Sequence, residues 1–195
     1  MAMGRPREFD ADQALDQALA VFWEKGYEGT SLPDLTEAMG INRPSLYAAF
    51  GNKEQLFRKA LDRYTEKSRA RMEAVLSEPT ARKAVEKLFS NMVEGSACPT
   101  TPKGCMLVQA ALSCGDEAEP IRRELIARRG LTETMLRQRF ERGIAEGDLP
   151  SSANANALAS FIATVMQGMA VQSTSGASRN DLDQIAKLAL KAFPA

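Results

Sequence analysis

The sequence contains no histidine. That removes Ser-His-Asp and Cys-His catalysis and every His-ligated metal site together. It has three cysteines, an odd number without paired spacing, so there is no disulfide framework. No apolar run reaches the roughly 18 residues that a membrane span needs. The first residues, Met1 to Arg7, carry some positive charge but no apolar stretch follows, unlike a secretion signal. A soluble, cytoplasmic chain is the expectation. Net charge is lacking too: 25 Lys and Arg balance 25 Asp and Glu. Residues 1–65 even hold an excess of acid, so any contact with nucleic acid must rest on placed residues and not on bulk charge.

What is present is enough apolar material for a packed core, 44% hydrophobic residues beside 26% charged ones in 195 residues. Strand-type alternation is missing, and breakers fall at helix-length intervals, so the chain reads as all-α with about nine helices. Asp10 caps a first helix over about 11–25, with Ala14, Leu15, Ala18, Leu19, Phe22 and Trp23 on its apolar face and Gly26 at its end. A second helix starts after Ser31 and runs to Met39. Gly40 supplies a left-handed turn, and Asn42 caps a third helix through Ala49. Asn52 and Gln55 cap a fourth helix, Lys53 to Leu76. Further helices are expected at about 80–95, 104–114, 117–147, 153–173 and 179–193. The organisation expected is a three-helix domain over 1–52 and a larger helical domain over 53–195.

Residues 31–49 carry the functional signal. Two short helices flank the turn Gly40-Ile41-Asn42-Arg43, with Leu35, Ala38, Ile41 and Leu46 inward. That is helix-turn-helix spacing, and it suits a second helix that enters the roughly 12 Å major groove. The outward face fits the task. Arg43 can donate to guanine O6 and N7 or to a phosphate; Pro44 and Ala48 can meet a thymine methyl; Ser45 and Tyr47 carry hydroxyls. Thr30 and Ser31 sit at a helix N-terminus that favours an anion, and Lys53 is a further phosphate candidate. The arm with Arg5 and Arg7 has the composition to reach a minor groove. On pattern alone, a plain helical corner explains the same spacing.

Two stretches weigh against the plain corner. One is Ala20–Leu32; the other runs Gly-Ile-Asn-Arg-Pro-Ser-Leu-Tyr-Ala-Ala-Phe-Gly-Asn-Lys-Glu-Gln-Leu-Phe from Gly40 to Phe57. They resemble the DNA-binding region of TetR/AcrR transcriptional regulators over about 60 residues. The resemblance implies that Arg43, Pro44, Ser45 and Tyr47 meet DNA, and that Thr30 or Ser31 and Lys53 contact phosphates. It implies that Leu46 and Phe50 are core, with Ala49 where some members carry a larger contacting side chain. It further implies a repressor acting as a homodimer on a double-stranded, pseudo-palindromic operator, without a cofactor. The last two helices would form a bundle with the partner. The stripe Ala155, Leu158, Ala159, Ile162, Ala163, Met166 and Ala170 is expected in that interface, with Ile185, Leu188, Ala189 and Ala192 from the last helix.

A small apolar or amphipathic effector of unknown identity is expected in a pocket between about 80–147 and the start of 153–173. The candidate lining residues are Phe89, Met92, Met106, Met135, Phe140 and Phe161, methionine being adaptable to irregular guests. Cys98 and Cys105 open a second possibility, thiol-based sensing of oxidants or electrophiles. Cys105 follows Gly104 at an expected helix start, and six residues of loop would let it meet Cys98 in a disulfide. Cys105 and Cys114 lie on opposite faces of one helix and cannot bond. A catalytic role lacks a nucleophile and base at usable spacing. A protein-interaction module would account for the apolar stripes but not for the outward face of the third helix.

Overall fold

The computed structural model describes residues 9–98, 101–112 and 118–194. The N-terminal arm and Cys114 lie outside these residues. Nine helices occur among the described residues: α1 (Ala11–Gly29), α2 (Leu32–Met39), α3 (Arg43–Phe50), α4 (Lys53–Leu76), α5 (Ala81–Ser96), α6 (Met106–Leu112), α7 (Glu119–Ala145), α8 (Ala155–Thr174) and α9 (Arg179–Ala192). Local chemistry sets the starts. Asp10 accepts from the Asp12 and Gln13 amides, Asn42 from Ser45, and Asn154 from Ala157. Ser31 with Asp34, Asn52 with Gln55 and Ser178 with Asp181 close reciprocal capping boxes.

Gly26 is where α1 departs from the expectation. Its φ of 72° and ψ of 178° break the helix, but the chain re-enters helical geometry through Gly29 instead of ending. The kink is fastened by Thr30, whose buried hydroxyl donates to the Gly26 carbonyl at 2.6 Å.

Two cores form. The first joins Ala14, Leu19, Phe22, Leu35, Leu46 and Phe50 of the three short helices to Leu56, Phe57, Leu61 and Tyr64 of α4. It continues into Met106, Leu107 and Ala110 of α6 and Ile121 and Leu125 of α7. Phe22 and Tyr27 both meet the Phe57 ring edge-on, with centroids 5.0 Å apart in each case. The chain can be divided at Asn52, but this packing runs straight across it. The second core holds the end of α4, α5, the later part of α7, α8 and α9.

Charged clamps lie over both joints of α4. Arg63 grips Asp16 through Nε and Nη2 at 2.7 and 2.9 Å and reaches Asp12 at 2.7 Å, which ties α4 to α1. Arg128 on α7 donates to Asp62, Glu124 and Thr65 at 2.6, 2.6 and 2.9 Å, and Arg58 pairs with Glu124. Single exposed pairs add about 0–1 kcal/mol, but bidentate arginines in a shared network fix direction as well.

The α8 stripe turns out to be mostly internal. Ala159, Ile162, Ala163 and Ala170 are buried within this one chain, as is Ala189 of α9. The period of 3.6 had located an apolar face correctly as a face, but α8 has a second one. Ala157, Phe161, Thr164, Gly168 and Val171 are all exposed, spaced alternately by four and three residues. Leu188 of α9 is 65% exposed.

Candidate nucleic-acid interface and internal cavity

The turn into α3 uses Gly40 at φ 64°, whose amide donates back to Glu37 and Thr36 carbonyls. Asn42 then caps α3, and Leu46 and Phe50 anchor its inner face, fully buried or nearly so. With those two fixed, the helical period puts Arg43, Pro44, Tyr47 and Ala48 on the outside, and all four are exposed. Tyr47 keeps 47% of its surface in water, so it is not a core tyrosine. Ser45 is half-buried beside the cap. Arg43 is the sole charged residue on α3. Three of the acids counted against this region are engaged elsewhere: Asp12 and Asp16 hold Arg63, and Asp34 holds Lys25 at 2.6 Å.

The flanking phosphate candidates divide. Thr30 is buried and its hydroxyl belongs to the Gly26 kink, so that hydroxyl is not offered to a phosphate; this corrects the reading of Thr30. Ser31 is exposed, but its hydroxyl both donates to and accepts from Asp34. Lys53 is half-buried with Nζ 4.7 Å from the centroid of the Tyr27 ring. Desolvation in that seat lowers its pKa from the ordinary lysine value, against the pull of Glu28 and Asp34.

Behind the first core lies a cavity of about 700 Å³. Its wall comes from α4, α5, α6, α7 and α8 and the segment leading into α6, with one contribution each from α1 and α9. Met92, Met135 and Met166 line it, as does Cys105. The other expected lining residues do not. Phe89 and Phe140 are buried in the second core, where Phe140 lies 5.3 Å from the Phe193 ring. Met106 points into the first core, and Phe161 is on the outer face of α8. An apolar residue at helical spacing can face a core, a cavity or solvent, and composition does not distinguish them.

Cys98 and Cys105 are not joined in a disulfide, and each has its own partner. Cys98 lies 3.6 Å from the Thr101 hydroxyl, whereas Cys105 accepts from Tyr64 Oη at 3.4 Å. Burial first, and then the neighbouring thiol, keep the Tyr64 phenol well above its usual pKa, so it donates as a neutral hydroxyl. Sequence reasoning missed Tyr64 and Trp23 in the cavity wall. The signal available was that Phe22 and Trp23 are adjacent on α1; successive side chains diverge by about 100°, so the two cannot serve one surface.

A capped, outward-facing second helix after a glycine turn, mounted on an all-helical body with a half-open cavity, defines a helix-turn-helix reader with an attached helical domain. The comparisons with known proteins agree. A family model described as bacterial regulatory proteins, tetR family, matches residues 14–60, and one described as tetracyclin repressor-like, C-terminal domain, matches 79–188. The HTH-type transcriptional repressor ComR of Escherichia coli (strain K12) is 38% identical over 193 residues, covering 98% of this chain and 92% of ComR. The HTH-type transcriptional repressor BdcR of the same organism is 29% identical over 195 residues, covering 97% and 92%. Among solved structures, a cysteine variant of the TetR family transcriptional regulator CifR, complexed with 26-bp double-strand operator DNA, superposes with a TM-score of 0.94. It is 45% identical, with 98% of this chain and 100% of that one covered. This chain belongs to the TetR family of bacterial regulatory proteins, a family of transcription regulators and not an enzyme class.

The capping box of α2 has a testable acid signature. The Lys25 ammonium, and then the Ser31 hydrogen bonds, hold the Asp34 carboxyl far below the usual carboxylate range. A depressed folded value stabilises the fold above the unfolded value and is lost as pH falls below it. Urea unfolding should therefore show wild type above Asp34→Asn by a constant margin from pH 7 to pH 5. The margin should narrow below about pH 4, where the unfolded carboxyl takes its proton. A margin that stays constant at pH 3 would contradict the assignment.

Proposed function

We propose that this protein is a transcriptional repressor whose homodimer reads a pseudo-palindromic operator through paired α3 helices and lets go when an effector occupies the internal cavity. The single observation that carries it is the outer face of α3. Arg43, Pro44, Tyr47 and Ala48 are exposed there, no acid shares the helix, and Leu46 and Phe50 hold it from behind. The named repressors among the relatives, and the operator complex of the CifR variant, support the same reading. Arg43 reads base edges or phosphate as a fork of donors, Tyr47 donates to phosphate, and Lys53 adds charge at the start of α4. Ser31 and Ser45 contribute at the edges through the backbone turns they cap or flank.

Two such heads are needed because one short helix buries too little surface for selective binding. The second copy is placed by the outer faces of α8 and α9. Ala157, Phe161, Thr164, Gly168 and Val171 alternate at four and three residues, the spacing of a helix-packing seam, and the small residues among them permit close approach. Leu188 continues the apolar surface on α9. This reassigns Phe161 from the cavity to the interface.

A second reading concerns what fills the cavity. Cys105 is half-exposed in its wall and accepts a hydrogen bond from Tyr64, so a soft electrophile in the cavity has a thiol in its lining to react with. A maleimide would add there: its C=C π bond opens, one carbon forms the S–C bond, and the neighbouring carbon takes the thiol proton. Cys98, on its own loop, would be a secondary target.

Selection of bound DNA from a random duplex pool should return an inverted repeat with half-sites about one helical turn apart. On that duplex, Arg43→Ala and Tyr47→Ala should each cost about 1–3 kcal/mol of affinity while leaving thermal unfolding nearly unchanged. A protein-interaction module would be indifferent to both. Phe161→Glu combined with Leu188→Glu should give a folded monomer by light scattering, with operator affinity lost; a dimer that persists would move the interface elsewhere. N-ethylmaleimide should release DNA from wild type and not from Cys105→Ser if the thiol reading is correct, and from both or neither if it is not.

A further inference from the structure

The cavity wall carries charge as well as methionine. Arg69, Arg71, Arg128 and Arg129 line it, beside the acids Asp62 and Glu66. Arg128 is held by Asp62 and Glu124 at 2.6 Å each, and Arg69 lies 3.7 Å from Glu73. Arg71, Arg129 and Glu66 form no ion pair among the described residues. Two cations and one acid are thus left over in the wall, a surplus of positive charge.

Position separates these three. Arg128 donates to Thr65, and Arg142 to the Leu76 carbonyl, so α7 runs parallel to α4 with Arg128 facing it. Ser160 of α8 donates to Glu133, which sets α8 on the Glu133 side of α7. Arg129 is one residue on from Arg128, about 100° around the helix, and four residues before Glu133. It therefore lies on the flank of α7 between α4 and α8, the flank that bounds the cavity, and it is half-buried there. Glu66 and Arg71 are exposed. Glu66, two residues from Ser68 of the cavity wall, is turned well away from it on α4, which puts its carboxylate at the rim.

A guanidinium drawn partly out of water without a counter-charge has lost hydration that nothing in the chain returns. A carboxylate restores it with two parallel charge-assisted hydrogen bonds. The methionines Met72, Met92, Met135 and Met166 suit a flexible hydrocarbon. An ammonium guest would meet like charge at Arg129 and find the unpaired Glu66 only at the rim.

We propose that the cavity takes an amphipathic monocarboxylate, its carboxylate on the Arg129 guanidinium and its apolar chain among the methionines. This rests on the cavity being the effector site and names the class of effector. Arg71 adds attraction at the rim and Glu66 opposes it, so the choice of head group falls to Arg129.

Decanoate, 1-decanol and decylammonium test this, one chain with three heads. Titration calorimetry of the full-length protein near neutral pH should show decanoate bound at least about tenfold more tightly than decylammonium. Arg129→Gln should weaken decanoate about tenfold and 1-decanol by less than about twofold, with thermal unfolding unchanged. Arg129→Lys, which keeps the charge, should retain part of the decanoate affinity. Met135→Ala should weaken decanoate and 1-decanol alike. Equal losses for those two probes in Arg129→Gln, or an unchanged decanoate affinity, overturn Arg129 as the head-group site. Decylammonium binding as tightly as decanoate to wild type overturns the anionic class, and failure of decanoate to bind overturns the site altogether. Operator release is scored separately. If decanoate binds through Arg129 while the operator duplex stays bound, the carboxylate site stands and the effector reading of the cavity falls.

Discussion

The contact on which the rest depends is the seat of α4 against α1. Phe57 is enclosed by Phe22 and Tyr27, and Arg63 binds Asp16 with two parallel hydrogen bonds on the outside of the same joint. An aromatic cluster resists sliding, and a bidentate ion pair resists rotation. The orientation of α1 is thereby coupled to α4, and α4, at 24 residues or about 36 Å, runs on from the head into the body. Its far end lies in the second core, where Val75 and Leu76 pack with α5 and α7. A helix bonded stiffly at one end and packed at the other transmits a tilt; it does not absorb one. The head has a second tie in α6, whose Met106 and Leu107 belong to the same core as Phe22 and Leu35. Gly104, at φ 78°, starts that tie, and a Cβ there would come within 3.0 Å of the Ala170 carbonyl of α8. The approach of α6 to α8 is thus as close as a glycine allows.

Charge is arranged locally. A chain with no net charge and an acidic excess in its head is a poor candidate for DNA on average potential. The structure shows why the average misleads: Asp12 and Asp16 of α1 neutralise Arg63 and Lys67, and Asp34 neutralises Lys25 while completing a helix cap. What remains on α3 is one arginine among neutral residues. An interface of that kind gains less from counterion release than a basic one, so more of its affinity comes from fit and from base contacts than from salt-sensitive attraction.

The parts of the structure visible in the sequence are those determined within a few residues. Asn42, Asn52 and Ser31 each announce a helix start because a side-chain oxygen and an orphan amide three residues on are close in the chain itself. Gly40 announces its turn because the left-handed region excludes most other residues. With those starts fixed, Leu46 and Phe50 must lie inward and Arg43 and Tyr47 outward. The misjudged residues are those decided between elements. The α8 pattern offered two apolar faces, and only the positions of α5, α7 and α9 determine that Ile162 is inside and Phe161 outside. Met106 and Met135 look alike in sequence, yet one fills a core and the other borders a cavity. Thr30 reads as a surface cap because Gly26 has the signature of a helix end, whereas the structure has a kink there that consumes the Thr30 hydroxyl. Trp23 was legible as apolar, but its role depends on α6 and α7 leaving space beside it.

A cavity next to a joint has a definite thermodynamic meaning. A guest changes operator affinity only to the extent that it binds the two head orientations differently. A pocket wholly within the second core would touch residues that keep their places when the head tilts, and binding there would shift little. The cavity here borders elements that join head to body: α4 along one side, the lead-in to α6 through Gly104 and Cys105, and α1 through Trp23. Trp23, Tyr64 and Cys105 form a continuous chain of contacts across those three elements. In the proposed function, the difference in affinity that release requires comes from this position of the cavity beside the joint of head and body.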